Sequence, residues 1–330
     1  MKSVAAFLVI LLGSLLLLLL ASTFGTVHFS ITEVMRIIVN RPETVRASVY
    51  LNLRLPRVLM AFLIGAALAV SGEGLQLTLK NPLADPYIIG ISAGASFGAV
   101  LSLFLREVFR FTISLELLSL FFALTAAFLT YYVARRGGSA SVTSLILSGV
   151  IISFLFNAAV TFLVVFAWRN IITLHFWSLG SLSGVSWEDI LKFTPFAVIQ
   201  FLAFMVLRRK MIIMAAGEEH AITVGLNPER IKGAVFFLVA LTVSIAVSIA
   251  GLIGFVGLVI PHIVRMIFGV DSRAGLLANS LVGGAFLVAC DTVARTLFQP
   301  TELPIGAITA LVGAPVFIYL LRRKEVIGSG

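Results

Sequence analysis

"NLRLPRVLMAFLIGAALAVSG", residues 52–72, sets Arg54 and Arg57 around Pro56 and directly against an apolar run that begins at Val58. That run continues to about residue 79, which matches the roughly 20 residues a helix needs to cross the hydrocarbon core of a bilayer. Runs of this kind recur from end to end of the chain. The predicted spans are 4–26, 58–79, 88–105, 112–134, 142–168, 190–207, 231–250, 252–268, 275–290 and 304–321, ten in all. Of the 330 residues, 60% are hydrophobic and 12% charged, against roughly 25% charged in ordinary globular domains. No polar block is large enough for a soluble domain. The expectation is a single all-α polytopic membrane domain over residues 1–330. The first run, Val4 to Ala21, follows Lys2 as the h-region of a signal peptide follows its basic n-region, but it is longer than the usual h-region of about 7 to 15 residues and is read as the first span.

The formal charge of +9 is scattered between the apolar runs, which excludes the single basic face of a nucleic-acid binder and points to topology. With a cytoplasmic amino terminus, the loops after even-numbered spans hold Lys80, Arg135, Arg136, Arg208, Arg209, Lys210, Arg230, Lys232, Arg265 and Arg273, and the tail adds Arg322, Arg323 and Lys324. Clusters of cations in short loops on one side follow the positive-inside rule, so both termini are expected in the cytoplasm. The segment from about Val27 to Arg57 opposes the rule. It would lie outside, yet it carries Arg36, Arg41, Arg46, Arg54 and Arg57.

In "GISAGASFGA", Gly90, Gly94 and Gly98 recur every four residues, the spacing that lets a second helix approach closely inside a membrane. A faint internal repeat accompanies it. "AVSG" (69–72) leads into the break "KNPLADP" and "SIAG" (248–251) into "VIPHIVR"; each is followed by a small-residue helix, "GISAGAS" or "NSLVGGA". The copies lie five spans apart and would have opposite orientation, as in transporters built from inverted repeats.

No lysine follows a glycine anywhere in the chain, so a phosphate-binding loop of the G-x-x-x-x-G-K-[ST] type is excluded and ATP, if used, binds a partner. His28, His175, His220 and His262 show no metal-ligand spacing, Cys290 is the lone cysteine, and no nucleophile motif or carboxylate pair is present. These features predict no enzyme and no metal site. Of the acids inside spans, Glu116 lies near a helix end, Asp291 has Arg295 four residues on as a helical ion-pair partner, and Glu73 has no evident partner. Such acids suggest proton carriage, so an ion-coupled secondary transporter is the alternative function. The longest polar stretch on the inner side is "AAGEEHAITVGLNPER", residues 215–230. Glu218 and Glu219 favour the first turn of a short helix through its dipole, and Gly225 closes it before Asn227 and Pro228. A short acidic helix against the membrane is read as a docking knob for a soluble partner.

Together these pieces resemble the FecCD/BtuC-like permease family, the membrane subunit of type II ABC importers for iron-siderophores, haem or cobalamin. The resemblance rests on "RLPR" at Arg54, "GAALAVSG" at Gly65, "NPLADP" at Asn81, "FWSLGSLSG" at Phe176, "GEEHAITVGL" at Gly217, "GFVGLVIPHIVR" at Gly254, "DTVAR" at Asp291 and "ELPIGAITALVGAPVF" at Glu302. Glu73 departs from it, since the family usually has a small or apolar residue there. The resemblance implies a homodimer in the cytoplasmic (inner) membrane, two ATP-binding cassette subunits that hold the ATP and Mg, and one extracytoplasmic substrate-binding protein. It implies no cofactor in this chain and no nucleic-acid partner. By the same resemblance, Arg54, Arg57 and Arg295 form a cationic pocket that docks the binding protein. Gly217, Glu218, Glu219, Ala221, Gly225 and Leu226 belong to the coupling helix that enters the ATPase, and Asn81 and Leu83 lie near the cytoplasmic gate. The implied cargo is a bulky metal chelate, with iron-siderophore first as the commonest class.

Overall fold

The computed structural model describes residues 2–136, 139–166, 171–269 and 274–328. Arg273 lies outside the described residues, as do the side chains of Arg136, His175, Arg323 and Lys324. In chain order the helices are α1 (Lys2–Thr23), α2 (Ile31–Asn40), α3 (Val45–Val49), α4 (Leu55–Thr78), α5 (Ile91–Val108), α6 (Leu115–Ala134) and α7 (Val142–Phe166). There follow α8 (Ile171–Ser178), α9 (Trp187–Ala216), α10 (Glu218–Thr223), α11 (Pro228–Ala250), α12 (Val256–Phe268), α13 (Gly275–Thr296) and α14 (Ile305–Gly328). A π turn, Tyr50–Arg54, joins α3 to α4, and the two-residue strands β1 (Arg135–Arg136) and β2 (Ser139–Ala140) pair antiparallel between α6 and α7.

Among the described residues eight helices are long and apolar enough to cross a membrane, and two shorter apolar helices, Val256–Phe268 and Ile305–Leu320, occupy the other two expected spans. The expectation of about ten spans is met, with three corrections. First, the segment 27–57 is not a plain loop. Ser30 caps α2 by accepting from the Glu33 amide at 3.1 Å, and α3 with the π turn makes one continuous helix from Val45 to Thr78. Second, α9 runs on to Ala216, so Arg208, Arg209 and Lys210 are helical, as suits residues of high helix propensity; Arg230, Lys232 and Arg265 likewise lie in α11 and α12. Third, "VIPHIVR" lies within α12, and the second copy of the repeat breaks at 251–255 instead.

Cα packing divides the chain into two compact units. The first comprises residues 1–69, 182–191 and 253–330. Here α4 and α13 touch backbone to backbone: a Cβ on Gly65 would lie 2.3 Å from the Gly283 carbonyl oxygen, and one on Gly283 would lie 2.5 Å from that of Gly65. Within lipid such contact supplies the dispersion energy that the hydrophobic effect cannot. Helix α2 seats Val34 and Ile37 on Phe29, Ala47 and Tyr50, while Arg46 clamps its first turn through Glu33 at 2.6 Å.

The second unit comprises residues 70–181 and 192–252. Its glycine stripe works as the spacing predicts. A Cβ on Gly94 would lie 2.3 Å from the Phe122 carbonyl oxygen and one on Gly98 2.2 Å from that of Leu118, so α5 and α6 cross with no room for side chains. Between α4 and α5, Asp85 caps a 3-10 turn, its Oδ1 accepting from the Tyr87 amide at 2.8 Å while Oδ2 is enclosed without a hydrogen-bond partner. Burial pushes this carboxyl from 3.8 up to about 6 against the lowering effect of the Tyr87 bond. A raised carboxylate value means that ionisation opposes folding. The opposition is absent below about pH 4, grows between about pH 4 and 6, and is complete above. Asp85→Asn keeps the cap acceptor and removes the charge. It should raise Tm in detergent by about 2 to 5 °C at pH 7.5, with the gain shrinking towards pH 4.5. A gain independent of pH would contradict the assignment.

Candidate functional site: an arginine pocket and an acidic knob

The first unit holds a pocket of about 270 Å³ lined by Arg54, Arg57, Arg295, Glu302 and the turn Leu182–Val185, among others. The three arginines are brought together by a turn and two helices: Arg54 ends the π turn, Arg57 begins α4 and Arg295 ends α13. Their partners differ. Arg54 donates to the carbonyl oxygens of Phe24 and Val27, which are uncharged. Arg57 is a bridge. Its Nε and Nη2 lie 2.9 Å from Asp291 Oδ1, and its Nη1 donates to both Glu302 oxygens at 2.9 Å. Arg295 donates to the Ala21 carbonyl at 2.5 Å and lies 3.5 Å from Asp291 Oδ2 as an ion pair, but its Nε and Nη1 are buried without a hydrogen-bond partner.

The sequence expectation that Asp291 pairs with Arg295 is therefore incomplete, because the closer partner is Arg57, which no local spacing reveals. Asp291 is 1% exposed, a depth at which a carboxylate persists only with cations around it. Three guanidiniums face two carboxylates in this pocket, leaving one positive charge in excess. That excess charge makes the pocket a place for one further anion, and a planar guanidinium fork favours a carboxylate.

In the second unit, α10 projects as a short knob. Gly217 opens it, Ala221 is its buried foot, and the Leu226 amide returns to the Ala221 carbonyl at 2.9 Å after Gly225 turns the chain at φ +80°. The two acids separate. Glu219 faces outward beside Ile222 and Val224, which are 60% and 52% exposed, whereas Glu218 turns inward to Lys232 at 2.8 Å. The apolar tip formed by Ile222 and Val224 was hidden in the sequence behind the acidic pattern. Close to the knob, Lys80 donates to the Ala216 carbonyl at 3.4 Å. Asn81 Oδ1 accepts from the Leu83 amide at 2.9 Å, leaving the Leu83 side chain half exposed.

Glu73, unpartnered on sequence grounds, pairs with Arg208 at 2.7 Å; the two side chains are 3% and 11% exposed. This pair spans 135 positions of sequence and was beyond local reading. Breaking it should cost about 1 to 3 kcal/mol, below the figure for fully buried pairs because Arg208 keeps some access to solvent. Glu73→Gln is expected to melt several degrees lower with transport retained, and Glu73→Gln with Arg208→Gln to regain part of the loss. Abolished uptake in a Glu73→Gln protein of unchanged Tm would instead indicate proton carriage.

Residues 11–323 match the family model described as the FecCD transport family. The chain belongs to that family. This FecCD chain is 43% identical over 285 residues to the cobalamin import system permease protein BtuC of Halobacterium salinarum, an alignment covering 86% of this chain and 76% of that one. It is 34% identical to the hemin transport system permease protein HmuU of Yersinia pestis, over 97% of this chain and 98% of that one. Its fold matches a solved structure described as an inward-facing conformation of a metal-chelate type ABC transporter, with TM-score 0.85 and 30% identity over 97% of this chain and 99% of that chain. The resemblance read from eight motifs is borne out, and with it the type II ABC importer permease fold.

Proposed function

We propose that this FecCD chain is the membrane-spanning subunit of a binding-protein-dependent importer, forming the pathway for a bulky metal chelate and driven by ATP hydrolysed on separate cassette subunits. The observation that carries the reading is the knob α10. It presents an acidic residue and two exposed apolar side chains on a chain that lacks a phosphate loop and whose relatives are import-system permeases. Gly217, Glu218, Glu219, Ala221, Gly225 and Leu226 form the ATPase coupling element, and Asn81 and Leu83 stand beside it as gate residues. Arg54, Arg57 and Arg295 receive a carboxylate from the extracytoplasmic binding protein. The excess positive charge of that pocket supports this role.

The assembly is a homodimer in the cytoplasmic membrane with both termini inside, two ATP-binding cassette subunits and one binding protein. Among cargoes, 43% identity to a cobalamin permease against 34% to a hemin permease supports cobalamin ahead of haem and of the iron-siderophores that frequency alone favours. An ion-coupled carrier is disfavoured by a specific observation: Glu73 and Asp291, the acids it would use, are both held in ion pairs. Uptake in proteoliposomes that requires ATP, the ATPase and the binding protein tests the proposal, and uptake without them would contradict it.

A further inference from the structure

Lys232 of the second unit is a fully engaged cation. It lies one turn into α11, and its side chain is 2% exposed. An ammonium has three N–H donors and no acceptor. Here each donor has an oxygen: Glu218 Oε1 of α10 at 2.8 Å, Glu229 Oε1 of α11 at 2.9 Å and the Ala140 carbonyl of β2 at 2.8 Å. Glu229 closes the ring, because its Oε2 accepts from the Ala140 amide at 3.0 Å. Four contacts thus bind the knob, the start of α11 and the hairpin that joins α6 to α7.

The next turn of α11 is itself pressed against α6. A Cβ on Gly233 would lie 3.1 Å from Tyr131 Oη, and the rings of Tyr131 and Phe236 lie 5.2 Å apart. One ammonium therefore links α10 to α11 directly and to α6 through the hairpin. Besides that bond, the chain at 224–227 connects α10 to α11. A buried charge pair by itself is weak support for stability, so the placement calls for another reason.

We propose that Lys232 is a positioning residue for energy coupling: it fastens α10 to the β1–β2 hairpin and α11 so that movement imposed on α10 reaches α6 and α11. The inference rests on the importer reading above, in which α10 is the element that the ATPase moves.

The test compares wild type, Lys232→Gln, Lys232→Arg and the double variant Lys232→Gln with Glu229→Gln as complete complexes with ATPase and binding protein in proteoliposomes. The cargo is whichever of cobalamin, haem or a ferric hydroxamate siderophore the wild type imports. Lys232→Gln should still assemble and hydrolyse ATP within about twofold of wild type, while chelate imported per ATP falls at least tenfold. Lys232→Gln combined with Glu229→Gln removes the fastening ammonium without leaving Glu229 beside an uncharged partner and should show the same split, which keeps the test open if Lys232→Gln alone fails to fold. Lys232→Arg should recover at least half of the lost coupling. An unchanged ratio of import to hydrolysis in both neutral variants would overturn the proposal. Failure of the importer reading looks different: the wild-type complex itself would show no ATP-dependent import of any of the three.

Discussion

Arg57→Glu should leave almost no folded protein in the membrane. Arg57 stands between Asp291, which is 1% exposed, and Glu302, touching each at 2.9 Å. The substitution converts one cation between two acids into three acids in one buried cluster, with only Arg295 and Arg54 near. Removing one partner of a buried pair costs about 3 to 5 kcal/mol, a large part of the 5 to 15 kcal/mol that typically separates folded from unfolded. Reversing its sign costs more. The check is the yield of monodisperse protein after detergent extraction, together with its Tm. Arg57→Gln combined with Asp291→Asn, which neutralises the pair while keeping its shape, should restore most of the yield. A folded Arg57→Glu protein of unchanged Tm would show that the network does not support the fold. The opening puzzle of cations at the edge of an apolar run thus has a structural half, borne by Arg57, beside the docking role proposed for the pocket as a whole.

The spans were legible because hydrophobic length is a local property; from Val58 or Val142 onward the chain need only be read forward. The helical pairing of Asp291 with Arg295 was legible for the same reason. Arg57 with Asp291 and Glu73 with Arg208 were not, being 234 and 135 positions apart; side chains that distant meet only after the helices have packed. Helix α2 was missed for a different reason. The arginines of the segment 27–57 suggested an external loop, although "SITE" at 30–33 is a Ser-x-x-Glu helix start and Val34 and Ile37 share one helical face. Lys232 was read as a topological cation, which its composition supports. Its burial against Glu218, Glu229 and Ala140 depends on the hairpin, a feature with no strong sequence signal.

Reversing the two acids of the knob should abolish ATP-driven uptake, by two different routes. Glu219 is exposed, as are Ile222 and Val224, so Glu219→Lys acts at the proposed docking surface. A like-charge or unmatched contact there costs several kcal/mol, and the ATPase should co-purify at less than a tenth of the wild-type amount. Glu218→Lys acts on the contact within the subunit, placing an ammonium against the buried Lys232. It should leave ATPase association within about threefold of wild type while eliminating uptake. Pull-down of the tagged ATPase with each single variant separates the routes. Equal loss of association in both would show that Glu218 also belongs to the docking surface, and normal uptake by the double variant would remove the coupling assignment from this segment.

The central claim is that this FecCD chain conducts a chelate only when a partner ATPase hydrolyses ATP. The most direct measurement reconstitutes the chain with its ATPase and binding protein in liposomes and follows entry of radiolabelled cobalamin, haem or ferric siderophore. The binding protein and chelate are presented on one face and ATP on the other. The account predicts uptake of at least one chelate that requires both ATP and the binding protein and is indifferent to collapse of proton and sodium gradients. Uptake by the chain alone on an imposed ion gradient, with no dependence on ATP or the ATPase, would contradict it.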